Sequence, residues 1–211
     1  MTQKLIIHIR QQPDIDRLPR FDGLAPTSVV TPANADEFRT AAEEIMGFAC
    51  IGFDTESKPT FKVGEASSGP HLIQFATPAK AYLFRIGLPG CVEAAGSILQ
   101  ASAPVKFGFG LKSDRSRLHG KLGIRPASLL DLGSVLRYQG KKGQVGLRGA
   151  VAAVLDARIE KSRSVATSNW ANPALTEAQQ AYAANDAYAA LCVFLGLSAD
   201  QQAMLLATLP R

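Results

Sequence analysis

Tyr182-Ala183-Ala184-Asn185-Asp186 is the most informative stretch of this chain, because it complements an earlier group, Asp54-Thr55-Glu56. Tyr182 and Asp186 are four residues apart, so on a helix their side chains leave the same face. Asp54 and Glu56 are two residues apart, so on a strand they also share a face. Together these side chains predict an oxygen-rich site for hard divalent cations, of a kind suited to phosphodiester hydrolysis.

The composition is that of a globular protein with one core. The chain has 211 residues, of which 46% are hydrophobic and 19% are charged. No run approaches the roughly 20 consecutive apolar residues of a membrane-spanning helix, and the apolar core of the first ten residues is too short for a secretory signal. We therefore expect a cytoplasmic protein without a membrane partner. The net charge of +5 is compatible with a polyanionic partner but is weak support alone.

Several other classes of site are excluded by the sequence. The three cysteines, Cys50, Cys91 and Cys192, form no CxxC pair, which argues against a disulfide framework or a zinc site and favours small buried residues in a reducing compartment. The chain has no GxxxxGK[ST] phosphate-binding loop and no GxGxxG after a strand. Nucleotide-binding domains of these two types are therefore unsupported.

The apolar pattern predicts an α/β domain. Strands are expected at residues 28–30, 49–54, 71–76, 81–86, 105–109 and 128–130, with the third and fourth forming a hairpin. Helices are expected at 35–46, 91–100, 111–118, 132–138, 147–155, 177–195 and 200–209. Residues 1–26 show little periodicity and are interpreted as an N-terminal extension, and residues 27–211 as the domain. Strands early and helices late favour a single domain with a mixed β-sheet.

A fourth acid, Asp114, follows an apolar strand and a glycine-containing turn, and it completes a known pattern. The segments 53–56, 105–114 and 175–187 resemble the motifs of the DEDDy branch of the 3'-5' exonuclease superfamily, which includes ribonuclease D and the exonuclease domain of Werner helicase. Leu72-Ile73-Gln74-Phe75-Ala76 and Ser168-Asn169-Trp170 add matches between them. The resemblance covers residues 28–197 and implies a ribonuclease H-like fold, with a mixed β-sheet flanked by α-helices. It suggests a small stand-alone member of bacterial type.

The resemblance also implies a role for each site residue. Asp54, Glu56 and Asp186 would hold a first Mg²⁺ or Mn²⁺ ion, and Asp54 would bridge to a second ion that Asp114 completes. Tyr182 would orient the attacking water. Two ions of this kind can activate water and stabilise the leaving oxygen. The expected partner is a nucleic acid with a free 3' end, DNA or RNA, and the expected products are nucleoside 5'-monophosphates.

The remaining assignments leave alternatives open. Substrate contacts are expected at Thr55, Lys58, Gln74, Arg115, Lys161 and Trp170, although the aromatic ring and each basic side chain also fit packing or solvated surface. Asp131 is expected to cap the helix that follows it, and His71 is a weaker candidate for a general acid. The rival function is a catalytically silent nucleic-acid-binding module of the same fold. Retention of all four acids and the tyrosine favours the enzyme.

Overall fold

A six-stranded mixed sheet organises the part of the chain that the computed structural model describes, residues 5–60, 68–160 and 162–209. The strands are β1 (Ile7–Ile9), β2 (Val29–Val30), β3 (Cys50–Glu56), β4 (Leu72–Ala76), β5 (Ala81–Arg85), β6 (Val105–Gly108), β7 (Leu129–Asp131) and β8 (Leu136–Tyr138). The strands β2 to β7 form the six-stranded sheet, and β1 and β8 form a separate two-stranded sheet. The helices are α1 (Ala35–Met46), α2 (Cys91–Gln100), α3 (Lys112–Leu122), α4 (Leu132–Val135), α5 (Leu147–Leu155), α6 (Arg163–Ala166), α7 (Glu177–Gly196) and α8 (Ala199–Leu206).

The central strand of the sheet is β3. The strand order is β2-β5-β4-β3-β6-β7, with β3 antiparallel to β4 and parallel to β6. The predicted hairpin is confirmed, because β4 and β5 pair antiparallel and the backbone N–H of Thr77 donates to the carbonyl of Lys80 at 2.8 Å. Of the outer strands, β2 pairs in parallel with β5, and β7 pairs in parallel with β6. The predicted mixed α/β architecture is confirmed.

The alternation of side chains along β3 separates two cores. Ile51 and Phe53 point into a cluster that includes the buried faces of α1 and α2. Residues at alternate positions, Gly52, Asp54 and Glu56, must leave the other face, on the side where α7 packs against the sheet. The two strand acids are therefore presented to α7, while the aromatic core fills the opposite layer.

Helix α7 is an apolar, alanine-rich element that crosses the sheet. Its start is fixed by a capping box, in which Thr176 and Gln179 satisfy each other's backbone N–H groups. The predicted cap is confirmed, as is the Asn34 cap of α1, whose side chain accepts from the N–H of Glu37 at 3.1 Å. Among the described residues no single helix is long and apolar enough to cross a membrane; only the pair α7 and α8 together, bent by 113°, reaches that length and composition.

The strands β1 and β8 and the short helix α6 differ from the sequence-based expectation. The predicted helix at 132–138 is wrong beyond Val135, because the chain continues as β8 and pairs in parallel with β1, an unpredicted strand near the N-terminus. Ile7 and Ile9 of β1 are buried. The short apolar run is ambiguous between helix and strand, and a pairing partner more than 120 residues away selects the strand. The domain boundary at residue 26 stays a prediction.

Candidate active site

Three carboxylates converge where β3 meets α7. Asp54 and Glu56 lie half-buried near the end of β3, and Asp186 lies in the middle of α7 with 4% of its surface exposed. One oxygen from each lies within 4.8 Å of the others. The backbone N–H of Thr55 donates to Asp54 at 2.9 Å, which fixes that carboxylate beside its own strand. The structure therefore brings together the strand acids Asp54 and Glu56 and the helix acid Asp186, as the sequence pattern predicts.

A close approach of strand and helix makes this convergence possible. A Cβ atom built on Gly52 would lie only 1.9 Å from the carbonyl oxygen of Ala187. Glycine on the strand and alanines on the helix leave so little side-chain volume that the two backbones nearly touch. Since Gly52 lies two residues before Asp54 and Ala187 directly follows Asp186, this contact sets the distance between the carboxylates of β3 and that of α7.

Tyr182 lies one helical turn before Asp186 and is held by Trp170. The two ring centroids are 6.0 Å apart, with the planes tilted by 48°. Trp170 is 2% exposed, and its indole N–H donates to the carbonyl of Ala166 at 3.2 Å. The indole therefore limits the movement of the phenol ring. A direct contact between Trp170 and substrate stays a prediction.

Asp114 lies apart from the other three acids. It is 5% exposed, accepts a hydrogen bond from the hydroxyl of Thr55 and forms an ion pair with Arg117 at 2.9 Å. Thr55 leaves β3 on the face opposite to Asp54, so Asp114 approaches the strand from the other side. Within the described residues, the acidic group that could hold an ion comprises Asp54, Glu56 and Asp186 without Asp114.

The matches to known proteins agree with this arrangement. A family model described as 3'-5' exonuclease matches residues 29–200. The chain belongs to the 3'-5' exonuclease family. The mouse bifunctional 3'-5' exonuclease/ATP-dependent helicase WRN is 30% identical over 185 residues, which is 85% of this chain and 13% of that protein. A 3'-5' exonuclease of Arabidopsis thaliana is 25% identical over 148 residues, 68% of this chain and 50% of its own. The chain thus spans half or less of these relatives.

Solved structures of this exonuclease family share the fold. The Nibbler EXO domain of Aedes aegypti has a TM-score of 0.69 at 22% identity, covering 86% of this chain and 91% of that one. Escherichia coli RNase D has a TM-score of 0.66 at 19% identity, covering 84% of this chain and 44% of its own. The ribonuclease H-like fold is thereby confirmed. Membership supports a nuclease activity, and exonucleases of this family typically use divalent metal ions, which the acid cluster suits.

Gln74 is a substrate-contact candidate that lies beside Asp54 in the sheet. It pairs directly opposite Asp54 across β3 and β4, and it is fully buried. Neither its amide oxygen nor its amide nitrogen has a hydrogen-bond partner within the described chain. A buried amide without partners is costly, so a bound water or ligand at this position would satisfy it. The substrate contact itself stays a prediction.

The other candidates lie in varied positions. Lys58 is exposed, and its backbone N–H donates to His71 Nδ1 at 3.1 Å. Burial, and then the charge of Lys58, lower the pKa of His71, which favours the neutral ring and weakens the case for a general acid. The guanidinium of Arg115 donates to the carbonyl of Leu129. Lys161 lies outside the described residues. The substrate roles of the two lysines and Arg115 stay predictions.

Asp131 has a structural contact that the sequence did not indicate. Its carboxylate accepts from the backbone N–H groups of Gly110 at 3.0 Å and Leu111 at 3.1 Å. The expectation that its side chain caps α4 is wrong, because those bonds commit the carboxylate to the turn before α3. Asp131 therefore helps to place the helix that carries Asp114.

Proposed function

We propose that this chain is a metal-dependent 3'-5' exonuclease that hydrolyses phosphodiester bonds at the 3' end of DNA or RNA. The observation that carries the proposal is the meeting of three carboxylates, from two segments far apart in sequence, within 4.8 Å. Such acids repel one another and lose hydration when they are gathered without a cation. A fold that brings them together beside a tyrosine is best explained by cation binding.

The donor set fits Mg²⁺ or Mn²⁺. Carboxylate oxygens are hard ligands, and the group of Asp54, Glu56 and Asp186 contains no histidine or cysteine that would favour zinc. These three residues would hold one ion, and Asp54 with Asp114 would hold a second. When bound, such ions would lower the pKa of an attacking water and offset the charge that develops on the phosphate.

Asp114 has a free oxygen for this purpose. Thr55 and Arg117 both donate to its Oδ1 atom, and no described residue donates to Oδ2. The two bonds therefore fix the orientation of the carboxylate while leaving one oxygen for water or an ion. This arrangement supports a contribution of Asp114 through water.

Tyr182 would orient the attacking water rather than remove its proton. An unperturbed phenol has a pKa of about 10, too high for a free base at neutral pH. Its position one turn from Asp186, with the ring held by Trp170, suits a hydroxyl that donates or accepts a fixed hydrogen bond. Water attack at the last linkage would release nucleoside 5'-monophosphates.

Digestion of labelled strands tests the proposal. Single-stranded DNA and RNA carrying a 5' label are incubated with Mg²⁺ or Mn²⁺, and the products are separated on denaturing gels. We expect a metal-dependent ladder that shortens from the 3' end and is lost in Asp54→Ala. Glu43→Ala is the matched control, because Glu43 is an exposed acid on α1. Retained binding without digestion under either metal would contradict the proposal and favour the catalytically silent module.

A further inference from the structure

A groove of about 740 Å³ lies beside Tyr182, between α7 and the N-terminal segment, which lines it with Asp16, Arg20 and Phe21. Its floor includes one face of α7, with Tyr182 and Asn185. Its walls carry three arginines, Arg20, Arg148 and Arg158. The volume is within the range of about 300–1,000 Å³ that is usual for ligand pockets. Tyr182 lines this groove and lies one helical turn from Asp186, so the groove borders the candidate active site.

The N-terminal segment is fixed in place as a wall of the groove. The backbone N–H of Phe21 donates to the carbonyl of Arg158 at 2.9 Å, and the N–H of Arg158 donates to the carbonyl of Pro19 at 2.8 Å. Phe21 packs on Tyr188 of α7, with ring centroids 5.9 Å apart. Gly23 lies so close to the Asn185 side chain that a Cβ atom there would clash with it. The wall therefore rests on the same helix that carries Asp186.

The arginines of the groove are paired in ways that a phosphate could replace. Arg20 and Arg158 share Glu160, and Arg148 pairs with Asp16. In the Arg148–Asp16 pair, 55% and 81% of the two side chains are exposed. Exposed pairs of this kind contribute little to stability. Guanidinium groups bind phosphate in the same two-point geometry as carboxylate. Three arginines against two acids leave one positive charge in excess.

We infer that this groove binds the phosphodiester backbone of the substrate strand on the 5' side of the scissile bond. The inference rests on the proposed function: an exonuclease that cuts the last linkage at the 3' end has every other phosphate on the 5' side of the cut. Asp16 then acts as a competing carboxylate that a phosphate displaces from Arg148. The N-terminal segment thereby becomes part of the substrate-binding surface.

Two substitutions with opposite expected effects test this inference. Arg148→Ala removes a phosphate contact, and Asp16→Asn removes its competitor. Binding of a fluorescein-labelled single-stranded deoxyoligonucleotide of about 12 nucleotides is measured by polarisation in EDTA, so that no cleavage occurs, across a salt series. The loss of one phosphate contact makes the dependence of log K, the association constant, on log salt concentration less steep by about 0.7 for a single strand. At 0.1 M salt this corresponds to roughly fivefold weaker binding. Arg148→Ala should show this loss, and Asp16→Asn should bind more tightly than wild type.

A second exposed pair provides the matched control. Arg39 and Asp36 form an ion pair on α1, with 65% and 81% of their side chains exposed. Arg39→Ala and Asp36→Asn should leave binding within the error of the wild-type value. Equal effects of the groove and α1 substitutions, or weaker binding by both Arg148→Ala and Asp16→Asn, would overturn the inference. If the groove and α1 variants bind as expected but the wild type digests no substrate, the groove inference is supported and the proposed exonuclease is refuted.

Discussion

Replacing Gly52 with alanine tests whether strand and helix set the geometry of the acid cluster. The added Cβ atom would lie 1.9 Å from the carbonyl oxygen of Ala187, whereas real Cβ atoms essentially never come closer than 3.0 Å to a neighbour. β3 and α7 must therefore separate by at least 1.1 Å. Because the obstacle is helix backbone, no side chain can rotate away. Overpacking of this kind costs about 3 kcal/mol or more of the free energy of unfolding.

The same displacement should weaken metal binding. Oxygens on opposite sides of a Mg²⁺ ion are about 4.2 Å apart, because each Mg–O distance is about 2.1 Å. The cluster already spreads its oxygens over as much as 4.8 Å, so small side-chain movements can close it around an ion. A further separation of the backbones by 1.1 Å would place the carboxylate oxygens too far apart for those side-chain movements to bring them around one ion.

Urea unfolding and thermal melting with and without Mn²⁺ measure both effects. We expect Gly52→Ala to lose stability and the Mn²⁺-induced rise in Tm. The control is Gly120→Ala: Gly120 is an exposed residue of α3 with open space around its Cβ position. It should gain about 0.5–1 kcal/mol from helix propensity and keep the Mn²⁺ effect. Wild-type stability and an intact Mn²⁺ response in Gly52→Ala would refute the close-approach argument.

Three further outcomes are expected. Mn²⁺ or Mg²⁺ at about 100 times its dissociation constant should stabilise the wild-type fold by about 2.7 kcal/mol, a rise in Tm of roughly 5–10 °C that Asp186→Asn abolishes in thermal melts. Burial lowers the pKa of the Lys106 ammonium to about 8, so between that pH and about 10.5 the unfolded chain binds more protons than the folded chain, and the free energy of unfolding rises with pH. Relative to Lys106→Met, the wild type should gain about 2 kcal/mol of unfolding free energy between pH 7 and pH 9.5 in urea unfolding. A difference between the two proteins that does not change with pH would contradict this. Thr176→Ala should lose about 1 kcal/mol of unfolding free energy with the capping box of α7, and an unchanged urea midpoint would count against that.

The parts of the fold that are encoded locally could be predicted from the sequence. The caps at Asn34 and Thr176 depend on residues within three positions of each other, and the β4–β5 hairpin depends on a four-residue turn. The shared faces of Asp54 with Glu56 and of Tyr182 with Asp186 follow from strand and helix periods alone. The residue pattern and the family resemblance both led us to expect that Asp54, Glu56 and Asp186 meet. The close contact between Gly52 and Ala187 explains how they do.

The parts that depend on distant partners could not be predicted. The helix expected through Tyr138 ends early because β1, with its buried Ile7 and Ile9, provides a pairing partner. The bonds of Asp131 to the turn before α3 depend on how β6 and β7 lie side by side. The arginine groove likewise joins residues from both ends of the chain, which no local pattern reports.

The meeting of β3 with α7 has a consequence for the growing chain on the ribosome. Asp54 and Glu56 are synthesised early, whereas Asp186 is added after more than half of the chain has followed them. Contacts between segments so far apart form late, because the intervening chain must close around them first. A nascent chain therefore cannot assemble the three-carboxylate cluster until α7 has emerged and docked. If the proposed nuclease activity needs this cluster, unfinished copies would lack it until that step.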